Sequence, residues 1–413
     1  MPVRFLHTSR LRHANEPGRL LLETPDVARR DRAMTGRLVI EVADREAPEA
    51  TCPSEHVQEA DMRRTRSLNG IDRRRVLSSL ALLPVLPGTL VAAAAQTRAP
   101  GDLLPSWSDG PAKQAIVDFV RATTEPSSPT YVAPGDRIAV FDQDGTLWVE
   151  QPMYAQVAYC LERVPALVAR KPELRNVEPF KTVLSGNREA MAKLPLRDIE
   201  KILAATLTGM TVEEFQSEVS RWLETARHPR WNRPYTELTF QPMQEVLQYL
   251  QSNAFKTYIV TGGGQDFVRV YAAKTYGIPP EQVVGTAGTT KFGYGRNGQP
   301  LLTKEPKLLL NDDKGGKVEG IHLMIGRRPV AAFGNSVGDR EMLEYTRAGQ
   351  GAPLAMLVLH DDAAREYAYG PAAGLPDSKI GTFTPALYDE ARKRDWTVIS
   401  MKNDWKRIFA FEA

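Results

Sequence analysis

Four short apolar runs, at residues 138–141, 256–260, 330–333 and 354–359, alternate with stretches whose apolar positions recur at helical spacing. A helical pattern from Pro111, with Ala115, Ile116, Phe119 and Val120 on one face, leads through a Pro/Ser-rich linker at 126–134 to the first run. The second follows an amphipathic stretch carrying Met243, Val246, Leu247 and Leu250, and precedes a glycine turn at 262–264 and a helical pattern over 266–276. This alternation predicts an α/β fold, a doubly wound parallel sheet. Residues 282–304, with Asn297 and Gly298 at the bend, predict an extended hairpin on the sheet edge.

The chain between the first two runs reads as almost wholly helical. Examples are 153–170, with Val157, Leu161, Val164 and Leu167, and 211–226, which opens on the capping box Thr211 and Glu214. An all-helical insertion after the first strand predicts a separate cap at 149–239, on a core formed by 96–148 and 240–413.

Composition bounds what such a chain does. Its 413 residues, 42% hydrophobic and 25% charged, suffice for one large core or two smaller ones. Residues 1–95 hold 15 Arg, no Lys and 12 acids, leaving 38 bases and 38 acids in 96–413, so the main body is neutral and nucleic-acid binding has no support. Cys52 lies in the leading segment and Cys160 is the only cysteine after it. With no CxxC pair and no histidine pair at helical spacing, a zinc site has no support either.

Residues 62–95 read as an export signal: a basic stretch at 63–75, an apolar run at 76–90 broken by Pro84 and Pro87, then small residues at 91–95. The prolines make it a poor membrane span, so no stable membrane anchor is expected after cleavage. Asp72, Arg73, Arg74, Arg75, Val76 and Leu77 resemble the twin-arginine motif, which predicts export, to the periplasm, of a protein beginning near Gln96. Residues 1–61 precede this signal, Met62 stands where a start is expected, and the first segment reads as a misassigned extension or a poorly ordered tail.

The chemistry concentrates in Phe141, Asp142, Gln143, Asp144, Gly145 and Thr146, at the end of the first predicted strand. Carboxylates at i and i+2 on an extended chain share a face. A phosphate monoester needs a nucleophile, a proton donor to the leaving oxygen and cations against the charge of the transferring group. Asp142 suits the first role and Asp144 the second. The plainer reading is an Asp-Gly turn after a buried strand.

This motif resembles the first signature of the haloacid dehalogenase superfamily, and stretches similar to the other three follow in order over 137–345. Thr261 closes the second run, with the amide of Gly262 beside it for phosphate oxygens. The signature lysine is Lys317, with Lys314 as rival and a solvated surface lysine as the plain alternative. The fourth signature resembles Phe333 to Met342 but carries Asn335 where family members often have an acid. The resemblance implies Mg²⁺ held by Asp142, the Asp144 carbonyl and Asn335, with Asp339 binding through water or orienting Lys317.

Because a halide leaves without a proton, Asp144 favours phosphate chemistry over dehalogenation. The helical cap resembles the phosphoserine phosphatase branch, whose members carry a Glu nine residues after the nucleophile; here that position is Gln151, with Glu150 one place early. Two readings stand for Trp148, a substrate contact or cap-to-core packing. Two stand as well for the cluster of Arg227, His228, Arg230, Trp231 and Arg233, substrate recognition or a solvated hinge. His322 and His360 read as satisfied histidines beside apolar segments. The expectation is a Mg²⁺-dependent phosphomonoesterase acting on a small phosphorylated substrate. Its rivals are a decayed phosphate-ligand binding protein and a phosphotransferase.

Overall fold

The computed structural model describes residues 103–412. The export segment, Cys52 and the first 61 residues lie outside the described residues. In chain order the strands are β1 (Ile138–Phe141), β2 (Lys256–Gly264), β3 (Val283–Tyr294), β4 (Pro300–Leu310), β5 (Ala331–Gly334), β6 (Leu354–Leu359) and β7 (Thr397–Ser400). They form one sheet in the spatial order β4-β3-β2-β1-β5-β6-β7, in which only the β3–β4 pair is antiparallel. This is the doubly wound α/β fold expected from the alternation of apolar runs and helical patterns.

The helices are α1 (Pro111–Thr124), α2 (Ala155–Arg170), α3 (Phe180–Leu184), α4 (Arg188–Ala192), α5 (Leu196–Thr206), α6 (Val212–Thr225), α7 (Gln241–Ser252), α8 (Gln265–Arg269), α9 (Ala272–Tyr276), α10 (Gly315–Gly320), α11 (Arg340–Arg347), α12 (Pro385–Lys393) and α13 (Met401–Asp404). Because strand side chains alternate, β1 feeds two cores. Ala139 and Phe141 join the layer containing α1 and α7, whereas Ile138 and Val140 join the layer containing α11 and α12. A strand covered on both faces must be apolar throughout, which is why the run is short and unbroken.

The edge hairpin is longer than anticipated and turns at Gly298, whose φ of 75° suits glycine. The helix expected over 266–276 is two short ones. Its interruption at Tyr271 brings that ring onto the indole of Trp148, with centroids 4.7 Å apart and planes 20° apart. Strand β7 was not anticipated, because its four residues alternate too briefly to register as a period. Among the described residues no helix is long and apolar enough to cross a membrane.

Candidate active site

Strand β1 lies where the chain order reverses, with β2 on one side and β5 on the other. Ligands of open α/β sheets bind at the carboxyl ends of the strands beside such a point. Those three ends bring Asp142, Thr261 and Asn335 together. The Asp142 amide donates to the Phe333 carbonyl at 2.9 Å, fixing the end of β1 to that of β5.

Lys317, from α10, is 2% exposed and reaches three oxygens: Asp142 Oδ1 at 2.5 Å, Asp339 Oδ1 at 2.6 Å and the Val260 carbonyl at 2.8 Å. The lysine meeting the first carboxylate is thus Lys317 and not Lys314. Burial on its own would lower the Lys317 pKa, but Asp142 and Asp339 outweigh it and hold the ammonium form well past its usual range. Burial, and after it the Asp339 charge, push Asp142 upward against the pull of Lys317.

Asp339 has both oxygens committed. Oδ1 accepts from Lys317 Nζ, while Oδ2 accepts from the amides of Asn335 at 2.9 Å and Ser336 at 3.0 Å. It therefore orients the lysine and folds the 335–339 turn. Gly334 permits this turn, since a Cβ there would stand 2.5 Å from the Asp339 side chain.

Asp144 is held by a residue given another role above. The Trp148 indole donates to Asp144 Oδ1 at 2.7 Å, and the Gly145 amide donates to the Trp148 carbonyl at 2.8 Å, closing a tight loop. Trp148 is 1% exposed and stacked on Tyr271, so it grips the second carboxylate from the protein side; its reading as a substrate contact is corrected. Burial pushes the Asp144 carboxyl up to about 6, with the Trp148 hydrogen bond and the Lys317 charge opposing. An acid so placed keeps its proton to higher pH than a free aspartate.

Thr261 is buried, and its Oγ1 accepts from the Gly263 amide at 3.0 Å, leaving its own hydrogen to donate. Gly262 anchors the hairpin instead, its carbonyl accepting from Thr286 Oγ1 at 2.8 Å. Over this glycine turn lies Gln156, from the first turn of α2, accepting from the Gly264 amide at 2.6 Å. A Cβ at Gly263 would stand 3.2 Å from Thr261 Oγ1, 3.5 Å from Gln156 Oε1 and 3.7 Å from Asp144 Oδ2, so these three groups converge there.

The arginine cluster is not part of this convergence. The Arg230 guanidinium donates to the carbonyls of Ala363, Ala364 and Glu366 and lies over the rings of Trp231 and Tyr367. Its donors go to main-chain oxygens, which corrects its reading as a substrate-binding residue. His228 accepts from the Arg230 amide at 3.1 Å on Nδ1, so its Nε2 donates to the Gln151 carbonyl at 2.7 Å. Burial lowers its pKa, as suits that neutral tautomer.

Several contributors came from beyond the reach of motif reading. His360 Nε2 lies 2.8 Å from the Gly145 carbonyl and its Nδ1 3.1 Å from Glu366 Oε2, so a buried His–Glu pair tethers the catalytic loop. Glu150, 2% exposed, accepts from Asn335 Nδ2 at 2.7 Å and from the Tyr369 hydroxyl at 2.8 Å. Gln151 donates to Ser378 and to the Ile380 carbonyl. No local pattern marks these pairings, because the partners lie up to 229 residues apart.

Among the described residues no group of three or more His, Cys, Asp and Glu side chains is arranged to hold a metal. The cleft nevertheless offers oxygen donors of three kinds, the Asp142 carboxylate, the Asp144 carbonyl and the Asn335 amide. This all-oxygen set fits a hard cation that keeps several waters, and it is the wrong set for zinc. Cavities of about 610 Å³ and 390 Å³ lie elsewhere, lined by Arg170, Glu218, Arg221 and other residues of the helical segment, and none of the cleft residues above lines them.

The family model of haloacid dehalogenase-like hydrolases matches residues 139–344, a span that includes all four motifs. The chain belongs to the haloacid dehalogenase superfamily. With two carboxylates two residues apart at the tip of β1, it is a phosphatase-type member of that superfamily. No match is found among curated proteins. Solved structures similar to it include a conserved functionally unknown protein from Anaerococcus prevotii, 15% identical with a TM-score of 0.42, covering 70% of this chain and 91% of that one. Another is a phosphoserine phosphohydrolase-like protein from Francisella tularensis, 17% identical with a TM-score of 0.30, covering 54% and 88%. A third is cytosolic 5'-nucleotidase IIIB bound to cytidine, 14% identical with a TM-score of 0.31, covering 61% and 80%.

Proposed function

We propose that this superfamily member is a Mg²⁺-dependent phosphomonoesterase that hydrolyses a small phosphorylated metabolite through an aspartyl-phosphate, and that it works outside the cytoplasm. The observation that carries the reading is the Lys317 ammonium shared between Asp142 and Asp339, with Asp144 gripped beside it by Trp148.

In the first half-reaction an Asp142 oxygen bonds to phosphorus as the bond to the ester oxygen breaks, and Asp144 gives its proton to the departing alcohol. In the second, Asp144 takes a proton from water as the water oxygen bonds to phosphorus. The acyl-phosphate bond breaks, and Asp142 is regenerated with release of phosphate. Lys317 donates to Asp142 and favours its ionised form against burial. The Thr261 hydroxyl and the Gly262 amide are suited to the non-bridging oxygens. Asp142, the Asp144 carbonyl and Asn335 would hold Mg²⁺, whose bound charge offsets that of the phosphoryl group.

Purified protein with Mg²⁺ is expected to release phosphate from phosphomonoesters, and Asp142→Asn to lose this by several orders of magnitude. Full activity in EDTA contradicts the metal role. Phosphate mimics bound by a chain that turns over no ester across a metabolite panel support a decayed binding protein. Product diverted to added alcohols supports a phosphotransferase. For export, changing Arg73, Arg74 and Arg75 to Lys preserves charge but removes the arginine pair; a fused reporter that still leaves the cytoplasm rules out the twin-arginine route.

A further inference from the structure

Asn335 stands where a second acid would face the nucleophile, and its amide has two chemically different ends. Only the oxygen end can serve a cation, so the orientation of the amide decides whether the residue contributes. Glu150 makes that decision. Asn335 Nδ2 donates to Glu150 Oε1 at 2.7 Å, and Oδ1 is thereby turned toward the catalytic loop, 3.4 Å from Thr146 Oγ1.

Glu150 is itself held by parts of the chain far apart in sequence. The Tyr369 hydroxyl donates to the same oxygen at 2.8 Å. Gly145 and Gly381, with φ of 77° and 62°, press so close that a Cβ on either would stand 2.4 Å and 1.7 Å from Oε1. Burial, opposed by the Tyr369 hydrogen bond, pushes the Glu150 carboxyl well above its usual range, and no ion pair among the described residues includes it, so a cation beside Asn335 would be the charge that favours its ionised form.

We propose that Glu150 is the positioning residue of the cation site: it fixes the Asn335 amide with Oδ1 toward the cation and, ionised beside that cation, supplies the negative charge that Asn335 lacks. This rests on the phosphatase reading for the presence of the cation. It differs from a purely structural role, in which Glu150 would only fasten the loops of Tyr369 and Gly381 to the catalytic loop.

The test is Mg²⁺ binding by titration calorimetry on the substrate-free full chain, for the wild type, Glu150→Gln, Asn335→Asp and the double variant. Groups that orient metal ligands are worth about 10- to 100-fold in affinity, so Glu150→Gln is expected to bind at least about tenfold more weakly, and the double variant to return to within about threefold of the wild type. The rescue follows because the carboxylate has moved to position 335 and the hydrogen bond has reversed, with the amide introduced at position 150 now the donor. Equal binding by Glu150→Gln and the wild type, or a double variant no tighter than Glu150→Gln, overturns the proposal. Should Glu150→Gln fail to fold, Asn335→Asp decides. It sets two carboxylates face to face, so its thermal midpoint should lie below that of the wild type in EDTA and rise further on adding Mg²⁺; an equal rise overturns the proposal. A wild type that binds no Mg²⁺ removes the cation from the reading of the site altogether, a result distinct from unaltered binding by the Glu150 variant.

Discussion

Trp148 and Asp144 show how one hydrogen bond sets a proton's availability. The indole N–H stabilises the charged carboxylate, so it works against the burial that lifts Asp144 to about 6. Removing it in Trp148→Phe leaves burial less opposed, and the pKa rises further. An alkyl phosphate needs the protonated acid for departure of its leaving group, so its turnover falls as pH rises through this pKa. The alkaline limb of its pH–kcat profile should therefore shift to higher pH in Trp148→Phe, while an activated aryl phosphate, whose leaving group needs no proton, shows little shift. The smaller ring also leaves a void against Tyr271, costing about 1–3 kcal/mol of stability, which denaturant unfolding measures. A limb that stays put in a folded variant would show that the indole does not govern the acid.

At the level of elements, the helical segment is fastened to the sheet edge as well as joined to it by the chain. Gly209 donates to the Lys304 carbonyl and Lys304 donates back to Met210, both at 2.9 Å, so the turn before α6 pairs with β4. The Lys304 side chain forms an ion pair with Asp266 and lies 4.7 Å from the centroid of the Phe215 ring on α6. Just beyond this pairing the capping box starts α6: Glu214 donates its amide to Thr211 Oγ1 at 3.1 Å, and the Thr211 amide donates to the Glu214 carboxylate at 2.9 Å. Thr211→Ala removes one half of that exchange and should cost about 1 kcal/mol by denaturant unfolding. Since the side chain touches nothing in the cleft, kcat should stay within about twofold, the scatter of a surface change. A large fall in kcat would mean that the start of α6 helps to set the cleft.

Across the whole molecule, the chain after the family-matched span closes the site from behind. His360 tethers Gly145, Tyr369 and Gly381 enclose Glu150, and the 378–380 loop receives Gln151. The same region supplies β6 and β7 and seats Trp405 and Phe409 against Trp107 and Phe240. Ending the chain after Arg347 would keep every signature motif yet expose the far side of β5 and open both cores. Such a chain should show no cooperative thermal transition and no phosphate release. A sharp melt by calorimetry would show that the span up to α11 is a self-sufficient fold.

The alternation of strands and helices up to β6, the carboxylate pair at the first strand tip and the glycine turn were legible in sequence because each is a local pattern, whereas only packing chose Lys317 over Lys314. Apolar runs need neighbours on both faces, an Asp-x-Asp pair shares a face, and a capping box spans one turn. What Trp148 and Arg230 do was not legible, since an indole or a guanidinium has several chemically reasonable partners and only packing chooses among them. The 150–335, 150–369 and 145–360 contacts lay further out of reach: they pair residues 185 to 219 positions apart, and no periodicity extends over such separations. Sequence thus determined which groups stand at the strand ends. The tertiary structure alone decided which way each one faces, because a hydrogen bond is fixed by where its partner folds to rather than by where it lies in the chain.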